Sequence, residues 1–151
     1  MMCSCEDAGN ARERMICFAG FSLRESGVTT PIIISIDGAD YRAELNDSAT
    51  GQAVADALPL EGSASRWGDE YYWSIGINAA TSEDARTTFG VGELGYWPPG
   101  DAFCIFFGPT PASSGDEPVM ANAGNPIGWI TDDVSNLRTS GGGGAIEVRR
   151  A

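Results

Sequence analysis

The sequence predicts a mainly β protein, built as one antiparallel barrel or sandwich. Short runs of alternating apolar and polar residues recur from Thr30 onward, separated by turn dipeptides such as Asp-Gly and Pro-Gly. Only two segments have the spacing of short helices. The length of 151 residues suits one domain with its own core. We predict a β domain over residues 30–151, preceded by a disordered or loosely attached extension over residues 1–29.

The predicted domain opens with a β-hairpin. Apolar residues alternate with other residues on both sides of Asp37-Gly38, a dipeptide that favours a tight two-residue turn. The run Pro31–Ile34 is rich in β-branched residues and has the length of a buried strand. The alternating residues are Ile32, Ile34 and Ile36 before the turn, and Tyr41, Ala43 and Leu45 after it.

A short amphipathic helix follows the hairpin. Asp47 or Ser48 is suited to cap its N-terminus, because a short oxygen-bearing side chain can accept from the first backbone N–H groups. Pro59 ends the helix, since proline cannot continue one. Its apolar stripe is Ala53, Val54, Ala57 and Leu58.

The middle of the chain alternates strands with turns. Residues 60–66 and 70–77 are predicted strands around the turn Trp67–Asp69, and the small, polar residues 78–91 form a loop. A strand then ends at Trp97. It is followed by a corner at Pro98–Gly100, a strand over 102–107, a loop over 108–124 and a strand over 126–131. Asp132 or Asp133 is then suited to cap a short helix over Val134 and Leu137. The chain ends with a flexible glycine turn over 141–144 and a strand over 145–149. The total is seven or eight short strands and two helices.

The charge of the chain excludes several classes of function. The net charge is −12, and all nine cationic side chains are arginines. A surface this acidic repels nucleic acid phosphates and anionic membranes, so we predict no nucleic acid and no membrane as partners. The chain has no histidine, which excludes Ser-His-Asp, Cys-His and histidine-ligated metal sites.

The four cysteines, at positions 3, 5, 17 and 104, do not form a disulfide framework, which favours a reducing cytoplasm. The apolar stretch 15–23 is not expected to be a secretory signal, because acidic residues precede it where basic ones are required. Cys3 and Cys5 make at most half of a metal site. We therefore predict no metal and no cofactor.

Three pairs of adjacent carboxylates are candidates for acid–base chemistry. Asp69-Glu70 falls in a turn, Asp116-Glu117 in a loop and Asp132-Asp133 at a helix cap. We expect each pair to be solvated, because the sequence implies no apolar shell that would raise a pKa.

Four segments resemble a small family of bacterial and archaeal proteins with a cyclophilin-like fold. That family combines a strand after Trp-Gly-Asp-Glu, a Gly-Tyr-Trp-Pro-Pro-Gly corner, an apolar strand that ends in Phe-Phe-Gly-x-Thr-Pro, and a late Ile-Gly-x-Ile strand. The resemblance covers about residues 31–150. The matching segments are Arg66–Trp73, Gly92–Gly100, Phe103–Pro111 and Asn125–Ile130.

The resemblance implies a closed eight-stranded antiparallel β-barrel with short helices at its ends. It does not carry an activity with it, because fold alone does not determine function. Cyclophilins proper are peptidyl-prolyl isomerases, and this chain lacks their histidine and their Phe-His-Arg and Gln-Gly-Gly-Asp motifs. Two alignments of the central strand stay open: one places Phe103-Cys104 over the paired phenylalanines of cyclophilins, the other Phe106-Phe107. A shift of three residues puts opposite faces inward.

Two functions remain open. One is a non-enzymatic module that binds a small molecule or an extended peptide in a cleft lined by Tyr72, Tyr96, Trp97 and Phe107, since such amphipathic aromatics commonly line binding clefts. The corner after Trp97 either closes the barrel end or forms a wall of that cleft, and closure is favoured, because every barrel needs its ends covered.

The other function is a weak prolyl isomerase, which needs only an apolar pocket and a donor to the twisting amide. Arg66, in a strand beside Trp67, is the candidate donor, and Arg42 and Arg86 are weaker candidates. The expected partner is thus an unidentified small molecule or a proline-containing peptide.

Overall fold

The computed structural model describes residues 28–139 and 144–151. Most of the predicted N-terminal extension and the glycine turn at 141–143 lie outside these residues. No helix in the described part of the chain is long and apolar enough to cross a membrane. The strands are β1 (Thr30–Ile36), β2 (Ala39–Leu45), β3 (Leu60–Arg66), β4 (Glu70–Ser74), β5 (Arg86–Thr88), β6 (Glu93–Trp97), β7 (Ala102–Phe106), β8 (Val119–Ile130) and β9 (Gly144–Arg150); helix α1 spans Ala49–Ala57, and 3-10 turns span Pro98–Gly100 and Ser135–Thr139.

Eight of the strands form a closed antiparallel ring. Their order is β2-β1-β9-β3-β4-β7-β6-β8, and β8 pairs again with β2 to close the ring. The short strand β5 pairs with β8 and lies outside this closed order. The prediction of a closed, eight-stranded cyclophilin-like barrel is confirmed.

The first hairpin forms as its sequence predicts. Asp37 and Gly38 both have positive φ, 48° and 86°, which is the backbone of a tight two-residue turn that matches strand twist. The turn places Ile36 opposite Ala39. Every second residue of β1, from Ile32 to Ile36, is therefore buried in the barrel.

The two predicted helices differ in length and type. Ser48 caps α1, because its Oγ accepts from the N–H of Gly51 at 3.0 Å. The second is only a 3-10 turn of five residues, Ser135–Thr139, and the carboxylate of Asp133 accepts from the N–H of Ser135 at 2.9 Å. Both of these residues were among the expected caps.

Two predicted loops contain strand. Residues 86–88 form β5, and β8 begins at Val119, not near 126 as the sequence suggested. The first half of β8 contains one large apolar residue, Met120, among small ones, so it lacks the alternation that marks a strand. The pairing with β5 makes this segment extended, and that pairing is not visible in the local sequence.

The strand β7 is buried on both faces. Phe103 and Ile105 belong to the main core inside the barrel, together with Phe107 just after the strand. Cys104 and Phe106 face the other way, into a second apolar cluster that also contains Ala102, Phe89 and Met120. The rings of Phe89 and Phe106 stack with centroids 4.7 Å apart. Phe89, just after β5, and Met120, at the start of β8, therefore cover the outer wall of the barrel.

Gly124 allows this outer layer to lie close to the barrel. A Cβ atom there would lie 2.2 Å from Met120 Sδ and 2.8 Å from the carbonyl oxygen of Tyr96. The methionine can move, but the Tyr96 carbonyl belongs to the paired backbone of β6. We expect Gly124→Ala to lower the free energy of unfolding by about 1–3 kcal/mol, as measured by chemical denaturation.

The matched control for this prediction is Gly90→Ala. A Cβ atom at Gly90 would meet only the carboxylate of Glu93, at 3.6 Å, an ordinary contact. Equal stability of the two variants would show that the outer layer can accommodate a Cβ atom at position 124 without cost.

Candidate functional site

The turn between β3 and β4 is fixed by the chain that follows β7. The N–H of Asp69 donates to the carbonyl of Pro109, and the N–H of Phe107 donates to the carbonyl of Asp69, both at 2.9 Å. Gly68 has a φ of 62°, and a Cβ atom there would lie 2.8 Å from the Cα of Thr110. The Trp-Gly-Asp-Glu and Phe-Phe-Gly-Pro-Thr-Pro motifs therefore form the two sides of one contact.

The carboxylate of Asp69 joins this turn to the C-terminal part of the chain. Arg66 Nη2 donates to it at 2.6 Å and Arg138 Nε at 3.0 Å. Arg66 also donates through Nε to the carbonyl of Gly68 at 2.7 Å, and its guanidinium lies over the ring of Phe107 at 5.1 Å from the centroid. Arg66 is thus held by the turn and by the ring beneath it.

Tyr96 lies in the main core and joins β6 to the loop after β4. Its side chain is fully buried, and its hydroxyl donates to the carboxylate of Asp101 and accepts from the N–H of Ala79. The same carboxylate accepts from the N–H groups of Ile77 and Asn78 at 3.1 and 2.8 Å. Burial and the Asp101 hydrogen bond raise the pKa of Tyr96 to about 12. These hydrogen bonds tie the residues on both sides of the corner to the loop after β4.

The next residue, Trp97, lies on the opposite face of the strand. Its indole N–H donates to the side-chain oxygen of Asn122 on β8 at 3.2 Å. Gly100 lies against the ring, since a Cβ atom there would be 2.6 Å from two of the ring carbons. The end of β6 thus supplies one residue to the barrel core and one residue to a cleft.

That cleft is a cavity of about 250 Å³ on the outer side of the barrel, beside the second apolar cluster. Three partly buried aromatic side chains line it, from the β3–β4 turn, β4 and the end of β6. Glu70 on β4 and the exposed Ala121 on β8 complete the lining. The aromatic residues are Trp67, Tyr72 and Trp97.

Glu70 is the unusual residue of this pocket. Only 4% of it is exposed, and its Oε1 has no hydrogen-bond partner in the described part of the chain. Burial raises the pKa of Glu70 to about 7, while a hydrogen bond with the Cys104 thiol lowers it by a smaller amount. The expectation that Asp69-Glu70 is a solvated pair was wrong, because Glu70 is buried and its carboxyl group contacts the thiol of Cys104 in the second apolar cluster.

The structure brings together two of the five predicted site residues. Tyr72 and Trp97 both line the pocket. Tyr96 and Phe107 lie in the barrel core with 0% and 1% exposure, and Arg66 lies at the Asp69 turn.

Three pocket residues are additions to the sequence prediction: Trp67, Glu70 and Ala121. Strand alternation was a usable signal for Glu70, which lies two residues before Tyr72 and therefore on the same face. Ala121 had no such signal, because its segment was not predicted to be a strand.

The weaker arginine candidates are engaged elsewhere. Arg42 pairs with Asp132 at 3.3 Å, and Arg86 pairs with Glu93 while its guanidinium lies 4.4 Å from the centroid of Phe89. Within residues 28–139 and 144–151, no group of three or more cysteine, aspartate or glutamate side chains is placed to hold a metal ion. The pocket itself offers aromatic faces and one buried carboxyl group.

A family model described as cyclophilin-like matches residues 30–149. The chain belongs to the cyclophilin-like family. It is also similar to the solution structure of a hypothetical protein from Archaeoglobus fulgidus, with 35% sequence identity and a TM-score of 0.70 over 85% of this chain and 100% of that one. No curated protein matches the chain. The resemblance drawn from the sequence motifs is thereby confirmed.

The raised pKa of Glu70 predicts a specific dependence of stability on pH. The folded state holds the Glu70 proton more tightly than the unfolded chain, whose pKa is near 4.5. The stability that this proton contributes is fully present below pH 4.5 and is lost as the pH rises through 7. At pH 8 we expect Glu70→Gln to be more stable than the wild type by up to about 3 kcal/mol.

Denaturant titrations of both proteins between pH 4 and 8 test this prediction. The difference between the two curves of unfolding free energy against pH reports on Glu70 alone. Carboxylates with a lowered pKa, such as Asp40 and Asp132, affect both proteins equally, and their contribution to stability is lost in more acidic solution. Glu61→Gln, at an exposed position on β3, is the control. Parallel curves for the wild type and Glu70→Gln would contradict the proposed burial cost.

Proposed function

We propose that this protein is a non-catalytic binding protein, and that its ligand is a small molecule or one side chain of an extended peptide held in the aromatic pocket. The observation that carries the proposal is the cavity of about 250 Å³ lined by Trp67, Tyr72 and Trp97. Concave sites with mostly apolar walls and one or two placed polar groups are typical of ligand binding. Glu70 is the polar group here.

The pocket is organised before any ligand arrives, which supports the same proposal. Trp97 is fixed by Asn122 and by the contact with Gly100, and Trp67 belongs to the turn held against the chain after β7. Side chains that are already ordered need not lose conformational freedom on binding, so more of the contact energy contributes to affinity.

The alternative, a weak prolyl isomerase, receives less support. It requires an arginine donor beside an apolar pocket, and Arg66 does not line this pocket. The guanidinium donates to Asp69, to the carbonyl of Gly68 and to the carbonyl of Arg138 at 3.1 Å. These contacts give Arg66 a structural role at the barrel end, and we favour the binding role.

A screen of small molecules by NMR tests the binding role. The chain has four tryptophans, so the indole N–H signals of Trp67 and Trp97 can be followed beside those of Trp73 and Trp129. We expect ligands that shift the Trp67 and Trp97 signals and compete with one another. Ala121→Phe, which places a ring in the pocket, should abolish these shifts.

The matched control is Ala39→Phe, at an exposed position on β2. It should leave every ligand response unchanged. Finding no ligand for the Trp67 and Trp97 signals, or ligands that bind Ala121→Phe equally well, would overturn the proposed site.

Exchange NMR on a short Xaa-Pro peptide tests the alternative. We expect no acceleration of cis/trans exchange by catalytic amounts of the protein, because no arginine lines the pocket to donate to the twisted amide. Acceleration that is lost in Arg66→Ala, in a variant shown by its melting curve to be folded, would instead establish an isomerase.

A further inference from the structure

Resting on the proposed binding function, we infer that the pocket takes an organic cation, a trimethylammonium group, held between the aromatic side chains with its positive charge beside the carboxylate of Glu70. The inference combines the aromatic lining, the buried carboxyl group and the charge of the whole chain. A neutral apolar ligand would need the aromatic lining but neither the buried carboxyl group nor the negative charge of the chain.

The aromatic side chains of the pocket can attract a cation. The π faces of tryptophan and tyrosine carry negative potential and attract cations, most strongly where water is excluded. Three such residues, Trp67, Tyr72 and Trp97, line one cavity of about 250 Å³. Sets of aromatic side chains around a small cavity are the usual way in which proteins bind quaternary ammonium groups.

The carboxyl group of Glu70 can supply a countercharge for the cation. A buried carboxyl oxygen without a hydrogen-bond partner costs stability, and a fold that needed only apolar packing would have no reason to place one here. No arginine lines the pocket to neutralise the charge of Glu70. A bound cation would provide the missing countercharge, and it would favour the ionised form of Glu70, whose pKa burial raises.

The lining also selects among cations. A divalent metal ion requires several oxygen ligands, and this lining offers a single carboxylate. A primary ammonium would need its three N–H donors satisfied. A trimethylammonium group has no N–H donor, presents methyl groups to the aromatic walls and keeps a full charge for Glu70. The net charge of −12 further raises the local concentration of any cation near the surface.

The test compares choline with 3,3-dimethyl-1-butanol, which has the same shape but no charge. Both are titrated at pH 8 into the full chain, and the Trp67 and Trp97 indole signals are followed. We expect saturable binding of choline, with an affinity at least about tenfold higher than that of the neutral isostere, because only choline gains the cation–π contacts and the Coulomb attraction to Glu70. A peptide that carries trimethyl-lysine, compared with free trimethyl-lysine, tells whether the cation is presented by a chain or is free.

Two variants separate the contributions of the Glu70 carboxylate and of an aromatic face to choline binding. Glu70→Gln removes the Coulomb attraction, so it should weaken choline binding at least about tenfold and leave binding of the neutral isostere unchanged, while Glu61→Gln should change neither. Tyr72→Leu, which keeps an apolar wall but removes one π face, should weaken choline about fivefold with little effect on the isostere.

The outcomes separate this inference from the function on which it rests. Equal binding of choline and its isostere at the pocket, or no saturable response to choline while other molecules shift the Trp67 and Trp97 signals, would overturn the cation and leave the binding role standing. If no molecule of any charge shifts those signals, both fail.

Discussion

The contact between the β3–β4 turn and the chain after β7 is the constraint on which the rest of the structure depends. Two backbone hydrogen bonds join Asp69 to Phe107 and Pro109, and the Asp69 carboxylate holds Arg66 and Arg138. The approach is so close that a Cβ atom on Gly108 would lie 2.3 Å from that carboxylate. This contact brings the C-terminal turn to the barrel end, and it also determines where the flanking residues of the turn, including Glu70, are placed.

The pocket exists because the barrel wall is packed on both of its faces. Alternation along β4 sends Tyr71 inward and Tyr72 outward, and alternation at the end of β6 does the same for Tyr96 and Trp97. The outer residues are then partly covered by Met120 and its neighbours on β8. Where that cover ends, aromatic side chains remain half-buried and enclose a cavity. Burial of Glu70 is a consequence of the same layer.

The sequence predicted the parts of the fold that local chemistry determines. The Asp37-Gly38 turn and the strand Leu60–Arg66 follow from alternation and turn residues, and the family motifs indicated the closed ring. The start of β8 and the burial of Glu70 were missed, because both depend on partners distant in the chain. Glu70 has the local appearance of a turn carboxylate, and its buried neighbours, the paired Phe106 and the Cys104 thiol, come from β7, more than thirty residues later in the chain.

The strand β8 does two things along its twelve residues. Its first half lies over the outer wall and contributes Ala121 to the pocket, and its second half pairs with β2 to complete the ring. The pocket residues of the described chain therefore belong to strands and to a turn tied to a strand. We expect a ligand to enter and leave the pocket without backbone rearrangement. Exchange between free and bound ligand should therefore be fast, limited by diffusion and by loss of the ligand's hydration shell.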